Sequence, residues 1–124
     1  SLLDKGYTPV LASLALDDLG LMYNVNADDA AQAIAALLNA PLYFISDVPG
    51  VLDGEGKVIE SLDETLASEL IASGVITEGM AVKVKNALVA ASIIKKPVYI
   101  ASYKDPNLAL NLFERRRLGT AFNA

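Results

Sequence analysis

A chain of 124 residues is the size of one domain, able to bury about two-thirds of its unfolded surface around a single core. Hydrophobic residues at 53% against 20% charged exclude intrinsic disorder, and 10 Lys+Arg against 15 Asp+Glu, a formal net charge of −5, argue against nucleic acid or an anionic membrane as a partner. With no cysteine and no histidine there is no thiol nucleophile, imidazole base or soft-ligand metal site, so any metal must be oxygen-ligated. The apolar runs fall far short of the roughly 18 residues of a membrane span, and no basic-then-apolar leader opens the chain, which predicts a cytoplasmic location. The chain starts at Ser1 in the middle of an apolar pattern, so a piece of a longer protein is expected.

Residues 7–16 are apolar and β-compatible, Asp17-Asp18-Leu19-Gly20 is a turn cluster and residues 21–25 resume the pattern, which predicts a β-hairpin. Residues 28–39 are rich in alanine and leucine, with Asp28 and Asp29 as N-cap candidates and Asn39 before Pro41 as the stop, and predict a helix. Leu42-Tyr43-Phe44-Ile45 is a continuous apolar run between Pro41 and Ser46-Asp47, the pattern of a central strand buried on both faces. A turn at 53–57 leads to a short strand, Val58-Ile59. Ser61 and Glu64 read as a capping box for a helix through Leu66, Leu70 and Ile71, stopped by Gly74.

After a linker at 75–79, residues 80–95 carry helical spacing through Val84, Leu88 and Ala91 until Pro97. Residues 98–101 predict a strand, 106–117 a helix, and 119–122 a final edge strand. Strands and helices alternate, and the main strands are separated by a dozen or more residues. The predicted fold class is therefore α/β, a mainly parallel sheet sandwiched by helices.

Three places carry candidate chemistry. Asn24-Val25-Asn26-Ala27-Asp28 joins a strand to a helix, where side chains and free N–H groups point into the crevice beyond the strand. The same residues also suit loop shaping and helix capping. Ser46-Asp47-Val48-Pro49-Gly50-Val51 follows the apolar strand, where a carboxylate could reach a ribose hydroxyl beside a fixed turn, or could simply make that turn. Lys83 lies one turn inside a helix after Gly79, so its ammonium could meet an anion at the helix N-terminus or stay solvated. No GxxxxGK[ST], GxGxxG or GxSxG occurs.

Taken in order, these segments resemble the amino acid kinase family, in the C-terminal half of its acetylglutamate-kinase branch. The resemblance runs through Gly6-Tyr7-Thr8-Pro9-Val10, Asn24-Val25-Asn26-Ala27-Asp28, Ser46-Asp47-Val48-Pro49-Gly50-Val51-Leu52, Val75-Ile76-Thr77-Glu78-Gly79-Met80-Ala81-Val82-Lys83 and Leu118-Gly119-Thr120. It implies that Asn24 holds the acetylamino-acid substrate, Asp28 organises the transition-state lysines and Lys83 stabilises the transferring phosphoryl group. It implies also that Asp47, Val48, Pro49, Gly50, Val51 and Leu52 run along bound ATP, with Val75, Ile76 and Thr77 as a second strip at the nucleotide.

Residues 1–124 then read as the C-terminal ATP-binding domain, the substrate-binding N-terminal half having no counterpart in the chain. The implied reaction moves the γ-phosphoryl of ATP to the side-chain carboxylate of N-acetyl-L-glutamate in arginine biosynthesis. ATP would be the cosubstrate, with Mg2+ held mainly by its phosphates and the full enzyme a homodimer. Phosphoryl transfer needs positioning and cations around the equatorial oxygens, so a chain without His or Cys remains suited to it. Another acid kinase, for glutamate or aspartate, and a catalytically inactive nucleotide-binding fragment are the alternatives.

Overall fold

Asp17 organises the first turn, its carboxylate accepting from the backbone N–H groups of Leu19 and Leu21 at 2.9 Å each. In the computed structural model, which describes all 124 residues, this turn joins β1 (Leu14–Leu16) to β2 (Met22–Asn24), paired antiparallel with Ala15 opposite Tyr23. The expected hairpin is present but shorter than its apolar run, because residues 7–13 have no strand to pair with.

Helix α1 (Ala27–Leu38) is capped by Asn26, whose Oδ1 accepts from the N–H groups of Asp28 and Asp29 at 3.0 and 3.1 Å. Asp28 and Asp29 are therefore first-turn residues rather than caps. The cap must sit in extended backbone and reach forward two or three residues, and Asn26 has that conformation. Asn39 closes the helix in the left-handed conformation.

Five further elements follow: β3 (Leu42–Ser46), β4 (Ser61–Leu62), α2 (Glu64–Ala72), α3 (Glu78–Ile94) and β5 (Val98–Ser102). The chain ends with α4 (Leu108–Phe113) and β6 (Thr120–Phe122). The larger sheet has the order β3-β5-β6-β4, with β3 parallel to β5 from Leu42↔Val98 to Ser46↔Ser102. β4 is parallel to β6, and β5 is antiparallel to β6. Two of its three pairings are parallel, within the expected α/β class.

Position within that sheet corrects two expectations. The run 42–45 forms an edge strand, not the central one, and Ile45 is 41% exposed. An apolar run reports two apolar faces without saying how many neighbours the strand has. One interior place belongs to β5, where Val98, Ile100, Ala101 and Ser102 are all buried. The last strand, expected at an edge, lies between β5 and β4, with Thr120 and Phe122 fully buried.

Local corrections are smaller. The cap of α2 is Asp63, accepting from the Leu66 N–H at 2.8 Å, while Ser61 belongs to β4. Val58 makes only an isolated bridge to Leu52, and Ile59 donates its N–H to the Val51 carbonyl at 2.7 Å. Helix α4 is half the expected span, ending before Arg115, which takes a positive φ.

The core lies between α3 and the sheet. Val84, Ala87, Ala90, Ala91 and Ile94 of α3 bury against Val98, Ile100 and Phe122, and α1 and α2 flank α3, supplying Ala35 and Ala67. Alanines on the buried stripe let helix and sheet approach closely, and this fixes where the first turn of α3 ends up relative to the end of β3. Tyr43 and Tyr99 alternate to the other face of the sheet, where their rings stack 4.6 Å apart. The first 25 residues contribute nothing to the core, and Leu2, Tyr7, Val10, Leu11 and Leu19 are all exposed.

Candidate functional site

The C-terminal end of β3 and the first turns of α3 converge. Lys83, on α3, projects its ammonium to the end of β3, where Nζ donates to Ser46 Oγ at 3.0 Å and lies 3.8 Å from Asp47 Oδ1. Ser46 Oγ in turn donates to Asp47 Oδ1 at 3.1 Å. The Ser46 hydrogen bond first, then backbone N–H donation and the Lys83 charge, hold the Asp47 carboxyl below the usual aspartate value. Both side chains of the ion pair are open to solvent, so the cation remains available to an incoming anion.

That triad borders a cleft of ≈ 710 Å³ whose lining includes Asn26, Asp28, Gln32, Ser46, Lys83 and Asn86. It lies between α1, the edge of β3 and α3. Two residues more than fifty positions apart in sequence, Asp28 and Lys83, thus share one cavity, which also contains the strand end carrying Ser46. Asn24, at the end of β2, is exposed and does not line the cleft. Asp47 does not line it either, and meets it through Lys83 and Ser46.

A second, smaller cleft of ≈ 230 Å³ is lined by Val48, Pro49, Gly50, Val51, Leu52, Asp53, Val75, Ile76, Thr77 and Met80. It unites the two strips singled out in the sequence, 48–52 and 75–77. Thr77 is the N-cap of α3 but makes no side-chain capping bond, which leaves first-turn N–H groups at this end of the helix without a side-chain acceptor. Met80 and Lys83 sit one turn apart on α3, so the two clefts adjoin along the same helix.

Gln32 and Asn86 were not among the residues expected at a site, and Asp53 and Met80 entered only as members of a turn and a motif. Gln32 and Asn86 were legible as neighbours, lying four residues after Asp28 and three after Lys83 on helices, the spacings that share a face. No group of three or more His, Cys, Asp or Glu could hold a metal ion. With its carboxylates unclustered, the chain could give a hard divalent cation one or two oxygen ligands at most, a number that suits Mg2+ only where other oxygens complete its shell. No helix is long and apolar enough to cross a membrane.

The pattern of the amino acid kinase family matches residues 1–102. The chain belongs to that family. It is 47% identical over 119 residues to an acetylglutamate kinase of Aeromonas hydrophila, covering 96% of this chain and 46% of that enzyme. The acetylglutamate kinase of Photorhabdus laumondii is also 47% identical, over 97% of this chain and 47% of its own. The chain therefore spans about half the length of the curated relatives it matches.

Among solved structures, a Streptococcus mutans UA159 protein is similar at 31% identity and a TM-score of 0.67, over 99% of this chain and 45% of that one. The N-acetylglutamate synthase of Neisseria gonorrhoeae shares the fold, with a TM-score of 0.76 at 24% identity over 98% of this chain and 28% of its own. In this amino acid kinase fold the two clefts take lining residues one turn apart on α3, Met80 and Lys83.

Proposed function

We propose that the full-length protein transfers the γ-phosphoryl group of ATP to the side-chain carboxylate of N-acetyl-L-glutamate, a step of arginine biosynthesis, and that this chain is its ATP-binding half. The observation that carries this reading is Lys83, placed by α3 in the cleft that holds Asp28, beside the smaller cleft made by 48–52 and 75–77. The identity to two acetylglutamate kinases supports the choice of acceptor.

In this reading the nucleotide lies in the smaller cleft, its base and ribose along Val48, Pro49, Gly50, Val51 and Leu52 and against Val75, Ile76 and Thr77. Asp47, held anionic, stands at the same strip. The phosphates point along the open first turn of α3, whose N–H groups and dipole favour anions. Mg2+ would be held mainly by those phosphates, since the chain has no carboxylate cluster to take it, and would supply neutralisation of part of their charge.

An acceptor carboxylate oxygen attacks the γ-phosphorus in line. One P–O bond forms to the acceptor, the bond to the β-phosphate oxygen breaks, and ADP leaves with that electron pair. Lys83 faces the equatorial oxygens on which charge collects, and Asp28 orients the cations of the site. Asn24 holds the acetylamino-acid from the end of β2, as part of an acceptor site completed by the N-terminal half of the protein. The full protein works as a cytoplasmic homodimer.

The test is acetylglutamyl phosphate formation by the full-length protein, with glutamate and aspartate as competing acceptors, and by the 124-residue chain with and without the separately made other half. Expected is turnover of N-acetyl-L-glutamate by the full protein and by the mixture, and none by the chain alone, since effective molarity collapses when one side of the reacting pair is unheld. Preference for a free amino acid, or turnover by the chain alone, would refute this reading.

A further inference from the structure

We propose that Thr120 is a positioning residue for the nucleotide strip 47–52, clasping it from outside the cleft and thereby setting nucleotide affinity. This rests on the nucleotide reading above. Thr120 is fully buried in β6 and does not line the smaller cleft. Its hydroxyl is used twice, donating to the Ile59 carbonyl at 2.7 Å and accepting from the Val51 N–H at 2.8 Å. One side chain thus ties the strip to the returning segment after the turn at 53–57, across 69 and 61 residues of sequence. Ile59 also donates to the Val51 carbonyl, so Val51 is held on both its backbone groups.

The backbones at this clasp are in contact with almost no space between them. A Cβ added to Gly50, whose φ is +146°, would lie 2.7 Å from Thr120 Oγ1 and 2.9 Å from Val58 Cγ1. A Cβ on Gly119, whose φ is +55°, would lie 1.8 Å from the Ile100 carbonyl oxygen and 2.9 Å from that of Pro49. Both positions therefore demand glycine on two grounds, conformation and space. Pro49 and Gly50 line the cleft, so the last strand of the chain presses directly on the backs of residues whose fronts face the ligand. Gly119 and Thr120 lie beyond the residues matched by the family pattern, which end at 102, while their partners Pro49, Gly50, Val51 and Ile59 lie within them.

A hydroxyl that only filled the core would affect stability and nothing else. A clasp on Val51 instead fixes the height and tilt of Pro49, Gly50, Val51 and Leu52 against the nucleotide. Thr120→Val keeps the side-chain shape and removes both hydrogen bonds, leaving the Val51 N–H unpaired in a dry site, a loss worth a factor of about ten or more.

The experiment measures ADP affinity by calorimetry and KM for ATP in the full-length protein for Thr120→Val, Thr120→Ala and Thr120→Ser, with Phe122→Leu as a control two residues along the same buried strand. Expected are Kd for ADP and KM for ATP raised about tenfold or more by Val and Ala, with kcat and the KM for the acceptor changed less than about twofold. Ser should restore affinity to within about threefold of wild type, and Phe122→Leu should lower Tm while leaving Kd within about twofold. Thr120→Ala keeps the test open if the valine variant does not fold. Wild-type binding of ADP that is unaltered in folded Thr120→Val or Thr120→Ala overturns the positioning role alone. A wild-type protein that binds no nucleotide overturns the nucleotide reading and, with it, this role.

Discussion

Replacing Lys83 by alanine separates a catalytic cation from a structural one. The ammonium sits 3.0 Å from Ser46 Oγ at the edge of the larger cleft, so a phosphoryl oxygen there can come within about 4 Å of it. At that distance and an effective dielectric near 20, a full charge pair interacts by about 4 kcal/mol. Losing one such donor to the transition state costs kcat about 100-fold to 1,000-fold, or about 2.7–4 kcal/mol. ADP lacks the group that Lys83 faces, and its affinity should change by less than about twofold. The ion pair that Lys83 leaves behind is exposed on both sides, 46% and 63%, so Tm should move by less than about 4 °C. Coupled detection of ADP release by the full-length protein, alongside calorimetry with ADP, gives the three numbers together. A kcat within about threefold of wild type, or an equal loss of ADP affinity, would refute the assignment of Lys83 to the phosphoryl group.

Two further outcomes test the frame around the site. Phe122→Ala empties a fully buried position between β5 and β4 and should cost about 3–5 kcal/mol in urea unfolding, whereas a loss below about 1 kcal/mol would show that this strand does not hold the sheet together. Asp47 should titrate below 3.8, the value of an unperturbed aspartate, because the Ser46 hydroxyl, its own backbone N–H and Lys83 all favour its anion. Its folded-state value is the lower one, so its contribution to stability is complete above the unfolded value and is lost as pH falls through the folded value. Carboxyl NMR titration reads this directly, and Asp47→Asn should flatten the acid limb of the stability profile; titration at or above 3.8 would refute the arrangement of the triad.

Elements whose causes are local were legible in the order of residues. The alanine-rich run of α1, the long helical spacing of α3 and the apolar strand of β3 form where expected because propensity, capping and breakers act within a few residues of each other. The strips 48–52 and 75–77 were recognisable as motifs, and the structure brings them to one cleft. Sequence pattern also located the strand-end and helix-start positions of Asp47 and Lys83, though their pairing across β3 and α3 could not be read from spacing.

Which strands have two neighbours is settled only by tertiary packing. Residues 42–45 and 98–101 are equally apolar to the eye, yet β3 ends the sheet and β5 occupies its interior, because pairing is settled between distant segments by the packing of α3. Only in the folded chain is it clear that Asn26, not Asp28, caps α1, which leaves Asp28 in the first turn of the helix at the cleft while Asn24 stays outside it. Thr120 shows the same limit most plainly. Its neighbours in sequence give no sign of a clasp, since both partners of its hydroxyl lie more than sixty residues away and meet it only when β6 enters the middle of the sheet.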